Sequence, residues 1–261
     1  MELRFGDALG DTTEFMTPDT AMTIALAKGI IANPKDPIPA IGEEFMKWFQ
    51  TKPKDVGRSV SLALEQYLQC NDWGIVAKKA HELGNGRSAG NGTLMRTLPV
   101  ALAYPDLRTI EKITVRQSKL THFDSLASEA SVIYNRIAHR ILTSGIDLIQ
   151  AIQFEVIGIR YEPVLKEKSE VPPNGYVVYT FLWVLYLLLQ YSTVEEVIIE
   201  AANMGDDSDT VAAIAGGLMG LYQGYDSIPK QFTEMILLKS KLNDLANQLY
   251  EIRNSMQMGN E

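Results

Sequence analysis

The chain has 261 residues, 46% of them apolar and 21% charged, which suffices for a substantial buried core in one large domain or two small ones. A formal net charge of −8 excludes a broad surface for a nucleic-acid backbone, although local dipoles can still hold a small anionic ligand. The single cysteine, Cys70, excludes a disulfide framework or a thiolate metal cluster within the chain.

In chain order, the first residues lack the basic start and long apolar run of a signal peptide. Helical spacing of Met22, Leu26 and Ile30 predicts a helix from Asp19 to Ile31, ended by Asn33-Pro34. Helices follow over Ile41 to Phe49 and Asp55 to Leu68. The stretch from Thr93 to Ala103 reads as a helix interrupted at Pro99. Thr109 to Lys119, Ser125 to Leu142 and Asp147 to Phe154 are further helices. Gly158 to Asn174 carries Pro163, Pro172 and Pro173 and reads as a loop.

The last predicted helices are Tyr176 to Tyr191, Thr193 to Asn203, Thr210 to Gly224 and one long helix from Lys230 to Ser255. The apolar run from Tyr176 to Leu189 is too short for a membrane span. The reading is therefore all-α, a single domain over residues 1–261, with a reduced, cytoplasmic setting and no nucleic-acid or membrane partner. Gly216, Gly217, Gly220 and Gly224 weaken their helix by about 1 kcal/mol each relative to alanine, a cost that close helix–helix approach commonly offsets.

The densest chemistry lies in Gly205-Asp206-Asp207-Ser208-Asp209-Thr210, where a loop turns into an apolar helix. One acid explains an N-cap, but three carboxylates in four residues repel one another unless a cation lies among them. With only oxygen ligands offered, a hard divalent cation is expected. Thr17-Pro18-Asp19-Thr20 repeats the arrangement of hydroxyl and carboxylate at a helix head. Between the two lies Ser88-Ala89-Gly90-Asn91-Gly92, a glycine-rich turn whose backbone N–H groups suit a phosphate. Thr121-His122 follows the end of a predicted helix, whereas His81 and His139 read as surface or satisfied core residues.

In this order the elements resemble the ADP-ribosylglycohydrolase family, which includes the dinitrogenase-reductase-activating glycohydrolases and the ADP-ribosylarginine hydrolases. Gly6-Asp7-Ala8-Leu9-Gly10 with Glu14-Phe15 is similar to its opening motif, and Thr17-Pro18-Asp19-Thr20-Ala21-Met22 to its Thr-Asp-Asp-Thr-x-Met. Ser88-Ala89-Gly90-Asn91-Gly92-Thr93-Leu94-Met95-Arg96 resembles its Ser-x-Gly-Asn-Gly-x-x-Met-Arg loop, Thr121-His122 its Thr-His pair, and Gly205 to Thr210 its closing Gly-x-Asp-x-Asp-Thr.

The resemblance implies an all-helical hydrolase with a binuclear Mg²⁺ or Mn²⁺ centre. Thr17, Asp19, Asp207, Asp209 and Thr210 would be its ligands. Glu14 would lie near the ribose, Gly90, Asn91 and Gly92 would line an ADP-ribose site, and His122 would sit at its rim. The implied reaction cleaves the N-glycosidic bond of an ADP-ribosylated arginine or a small ADP-ribose conjugate. Asp207 or Asp209 would take a proton from water, and the Gly-Asn-Gly backbone would hold the pyrophosphate, since the sequence shows no basic cluster.

The chain departs from the family pattern at Pro18, which removes one of two paired carboxylates, with Asp7, Asp11 and Asp206 as candidate substitutes. The loop between Glu14 and Thr17 is also short. A degenerate member that binds ADP-ribose or a related nucleotide without hydrolysis is the alternative.

Overall fold

The computed structural model describes residues 16–258. Among them the chain forms helices α1 (Pro18–Ala32), α2 (Ile38–Gln50), α3 (Arg58–Cys70), α4 (Val76–Leu83), α5 (Leu98–Ala103), α6 (Leu107–Ser118) and α7 (Ser125–Ser144). These are followed by α8 (Leu148–Val156), α9 (Val177–Gln190), α10 (Val194–Ala202), α11 (Ser208–Gln223), α12 (Lys230–Met235) and α13 (Lys239–Met258). No strand forms among the described residues, and an isolated antiparallel bridge joins Gly90 to Tyr176. The all-α class expected from periodicity holds.

The largest departures from the sequence reading have local reasons. Pro99 does not interrupt a helix but stands in the first turn of α5, where its missing N–H costs nothing; a short 3₁₀ turn, Asn91–Thr93, precedes it. The long C-terminal helix is broken between α12 and α13, where Ile236 adopts an extended conformation. Helix α4 escaped the sequence reading because its apolar face is only Val76, Ala77 and Ala80.

The helices pack into two apolar clusters. One gathers residues of α7 to α11, with Tyr134, Phe181, Val184, Leu188, Ile214 and Leu218 buried at its centre. The other gathers α1, α2, α3, α5, α6 and α13 around Met22, Leu26, Phe45, Leu64 and Ile110. Met95 packs against both and marks the seam between them. The buried guanidinium of Arg253 ties α13 to the second cluster. Its Nη1 donates to the carbonyls of Ala101 at 2.9 Å and Tyr104 at 2.7 Å, satisfying the C-terminal end of α5. His139, read from the sequence as a surface or satisfied core residue, is half-buried, with an Nδ1 that has no hydrogen-bond partner among the described residues.

Helix α11 occupies the interior of the first cluster, packed on α7, α9 and α10. Its glycines do not share one role. A Cβ at Gly217 would lie 3.0 Å from Tyr134 Oη and 3.2 Å from Leu98 Cδ2, whereas one at Gly220 would meet nothing within 4 Å. Tyr134 cannot swing aside, because it is buried and its hydroxyl donates to the Ile214 carbonyl at 3.0 Å. Gly217→Ala is therefore expected to destabilise the fold by roughly 1–3 kcal/mol through overpacking. Gly220→Ala should stabilise it by up to about 1 kcal/mol through helix propensity. Paired urea denaturation curves check both, and equal shifts for the two variants would contradict the packing.

Candidate active site

At the seam between the clusters lies a cavity of about 920 Å³. That volume is at the upper end of small-molecule sites, roughly 300–1,000 Å³, and suits a nucleotide better than a single sugar. Much of its wall is built from helix beginnings: Pro18 and Asp19 of α1, Arg58 to Val60 of α3, Asp124 and Leu126 at the head of α7, Tyr176 before α9, and Asp207, Asp209 and Thr210 of α11. Five helix N-termini, whose dipoles carry positive ends, thus border one space. The loop residues Gly90, Asn91 and Gly92 and the ring of His122 complete the wall.

The two acidic helix heads meet here. Gly205 (φ 75°) and Asp206 (φ 49°) both adopt the left-handed conformation, which glycine and aspartate tolerate. This turn delivers Asp207 to the N-cap of α11, although its side chain makes no capping bond. Instead Asp207 Oδ2 accepts a short hydrogen bond from Asn91 Nδ2, and Asn91 also donates to Thr180 Oγ1 at 3.0 Å. Asn91 therefore orients a carboxylate, a role its glycine-rich context did not announce.

Asp19 is buried, and its Oδ1 has no hydrogen-bond partner among the described residues. Burial, then the negative charges of Asp209 and Asp207, push its carboxyl up to about 7, against a hydrogen bond from Thr210. Burial also raises Asp207, offset in part by its bonds from Asn91 and Thr210. The Thr210 hydroxyl therefore favours the charged form of a carboxylate from each helix head.

Not every expected residue converges. Thr17 is the N-cap of α1, makes no side-chain capping bond, and is not among the residues lining the cavity. Asp209 and Asp206 line it but remain exposed. Glu14, Asp7 and Asp11 lie outside the described residues. Gly90, Asn91, Gly92 and His122 all reach the cavity.

The sequence shows no basic cluster, yet the fold brings two basic side chains to the site. Arg58, the first residue of α3, and Arg87, just before the glycine-rich loop, both line the cavity. Nothing local in Gly57-Arg58-Ser59 or in Arg87 beside Ser88 marks a shared site, and the two arginines, 29 positions apart, reach one cavity only through the fold. Against these two arginines stand six aspartates in the lining, so the site is acidic overall among the described residues. An anionic ligand there depends on the arginines, the helix N-termini and any bound cation.

The donors fit a hard divalent cation in kind and in charge. They are all oxygens, one buried carboxylate oxygen has no protein partner, and neighbouring carboxylates raise each other's proton affinity. As they stand, however, the described residues do not draw three acidic, histidine or cysteine side chains into one coordinating group. Pro18 occupies part of the wall without contributing a ligand atom. No helix among the described residues is long and apolar enough to cross a membrane.

Comparison with known proteins gives consistent relatives. A family model described as ADP-ribosylglycohydrolase matches residues 3–257. The ADP-ribosyl-[dinitrogen reductase] glycohydrolase of Rhodospirillum rubrum is 28% identical over 91% of this chain and 88% of its own. The ADP-ribosylarginine hydrolase Tri1 of Serratia proteamaculans is 26% identical over 95% of this chain and 76% of its own. A solved structure titled "ADP-ribosylglycohydrolase-related protein complex" superposes with a TM-score of 0.75 at 26% identity, covering 92% of this chain and 82% of the other.

Proposed function

Since the chain belongs to the ADP-ribosylglycohydrolase family, we propose that it hydrolyses the N-glycosidic bond between ADP-ribose and an arginine side chain, in a protein or a small conjugate, with Mg²⁺ or Mn²⁺ bound. The observation that carries this reading is the meeting of Asp19 with Asp207 and Asp209 in one nucleotide-sized cavity that the Gly90–Gly92 loop and His122 also line. The names of the relatives support the substrate class.

In this reading Asp19, Asp207, Asp209 and Thr210 would hold the cation, with Thr17 an expected further ligand from the start of α1. Such a cation supplies positive charge that offsets the carboxylates and makes a neighbouring water more acidic. Arg58, Arg87 and the α3 N-terminus steer the pyrophosphate. Breaking the glycosidic bond leaves positive charge on the ribose carbon, which the surrounding carboxylates stabilise. Water adds its hydroxyl to that carbon and the arginine nitrogen departs protonated. Asp207, fixed by Asn91 and half-buried, is the group placed to take the proton from water.

The test is release of free ADP-ribose from ADP-ribosylarginine with either cation. A second reading, binding without hydrolysis, draws on Pro18 and on the sparse coordinating set. Calorimetric binding of ADP-ribose with no turnover, unchanged in Pro18→Asp, would favour it. Activity that rises in Pro18→Asp would mark a weakened enzyme.

A further inference from the structure

Arg96 is completely buried, and its partners among the described residues are neutral. Its Nε donates to Gln117 Oε1 at 2.9 Å, and its Nη2 donates to the Gln117 carbonyl at 3.2 Å and to Thr121 Oγ1 at 2.8 Å. Its Nη1 faces Met22 Sδ at 3.5 Å, and its Cζ lies 4.3 Å from the centroid of the Phe45 ring. A guanidinium withdrawn from water is costly, so its place in the core calls for a reason beyond packing.

The bond to Thr121 has a consequence one residue further on. Thr121 is itself completely buried, and its Oγ1 lies 2.8 Å from His122 Nδ1. Arginine only donates, so the Thr121 oxygen accepts from Arg96 and its single proton needs an acceptor. His122 Nδ1 is the acceptor within reach among the described residues. If Nδ1 carried the proton instead, the Thr121 hydroxyl would be buried with nothing to donate to, a penalty of about 1–3 kcal/mol. The network therefore leaves Nδ1 bare and puts the imidazole proton on Nε2.

That second nitrogen faces the cavity loop. It makes no hydrogen bond among the described residues, and a Cβ on Gly90 would lie 3.0 Å from it. A Cβ on Gly92 would lie 3.2 Å from Cε1 of the same ring. The two glycines leave the Nε2–H edge uncovered, where any side chain would shield it. Burial, with the charges of Arg96 and Lys119, pushes His122 down to about 3, so the ring stays neutral.

We infer that Arg96 is a positioning residue: through Thr121 it locks His122 as the Nε2–H tautomer, so that His122 serves the bound ADP-ribose as a fixed hydrogen-bond donor to a phosphate or hydroxyl oxygen and takes no part in proton transfer. The ligand rests on the functional reading above; the relay rests on the geometry alone.

Nitrogen-15 histidine NMR of the full chain separates the two. The chain has three histidines, and comparison with His122→Asn assigns the His122 signals. Wild-type protein is expected to show an unprotonated Nδ1 and a protonated Nε2 for His122, unchanged from pH 5 to pH 8. Thr121→Val should give mixed or inverted tautomers, Thr121→Ser should restore the wild-type pattern, and ADP-ribose affinity should fall by roughly 3- to 10-fold in Thr121→Val alone. A protonated Nδ1 in wild-type protein, or a His122 that titrates near pH 6, overturns the relay, and this reading needs no Thr121 variant to fold. Weak ADP-ribose binding by wild-type protein that retains the expected tautomer overturns the ligand assignment and the functional reading, and leaves the relay standing.

Discussion

Replacing Asp207 by asparagine is expected to lower the rate of ADP-ribose release by about 10²- to 10⁴-fold, the range associated with a positioned acid–base group. The change is nearly isosteric. The amide oxygen that Asp207→Asn introduces keeps an acceptor for Asn91 Nδ2, so the contact between the glycine-rich loop and the head of α11 survives. What disappears is a charge in a half-buried place where burial already disfavours it. Thermal stability should hold or rise while turnover collapses. Asp206→Asn is the control, since Asp206 lines the same cavity but is exposed. Rate measurements on both variants, with melting curves, check the assignment. An Asp207→Asn enzyme within a few-fold of wild type would remove Asp207 from the chemistry.

The second large effect concerns Asp19 in metal-free protein. Its carboxyl is pushed to about 7 in the fold, while an unfolded chain restores an ordinary value near 3.8. Between those two values the folded state holds a proton that the unfolded state has released. Folding stability linked to Asp19 is therefore fully present below about pH 4, declines as pH rises, and is lost once pH passes about 7. At about 1.4 kcal/mol per unit, the loss is on the order of 4 kcal/mol across the window. Asp19→Asn carries no such charge and should be the more stable protein at pH 8 in the presence of a chelator, with the difference vanishing near pH 4. Urea denaturation of both proteins across this range is the measurement. Parallel curves would mean that Asp19 is not buried against its neighbours as described.

Much of this arrangement was legible in the sequence because each acidic head sits on its own helix. Thr17-Pro18-Asp19 and Asp207-Ser208-Asp209-Thr210 are residue types that favour a helix start, although neither N-cap makes a side-chain capping bond, and the apolar run behind each is buried. The glycine pair around Asn91 likewise marked a close approach, and the structure shows what approaches: the His122 ring. Contacts between residues of unremarkable type were not legible. Arg58 and Arg87 look like surface charges until α3 and the loop before Gly90 meet at the seam. Arg96 belonged to a recognisable motif, but its burial beside Thr121 depends on α6 ending where Gln117 and Ser118 are turned inward. Asn91 read as a turn residue, and its bond to Asp207 spans 116 positions of sequence. The glycines of α11 were correctly taken as a packing signal, but only Gly217 and Gly216 meet neighbours within 4 Å; Gly220 faces open space and Gly224 ends the helix with φ 83°.

Pro18 bears on how the two carboxylate-bearing heads work together. Proline suits the first turn of α1 for its fixed φ and missing N–H, so the helix gains a sound start with a side chain on the cavity wall that offers no ligand atom. The buried, partnerless oxygen of Asp19 lies immediately beside it. Local helix chemistry and ligand supply thus pull in opposite directions at this position.

The most direct test of the central claim is a single product assay on wild-type protein. ADP-ribosylarginine is incubated with Mn²⁺ or Mg²⁺, and again after chelation, and free ADP-ribose is quantified. The account predicts ADP-ribose and arginine in equal amounts with at least one cation and none after chelation. Intact substrate under both cations, from protein that binds ADP-ribose in the same buffer, would contradict it.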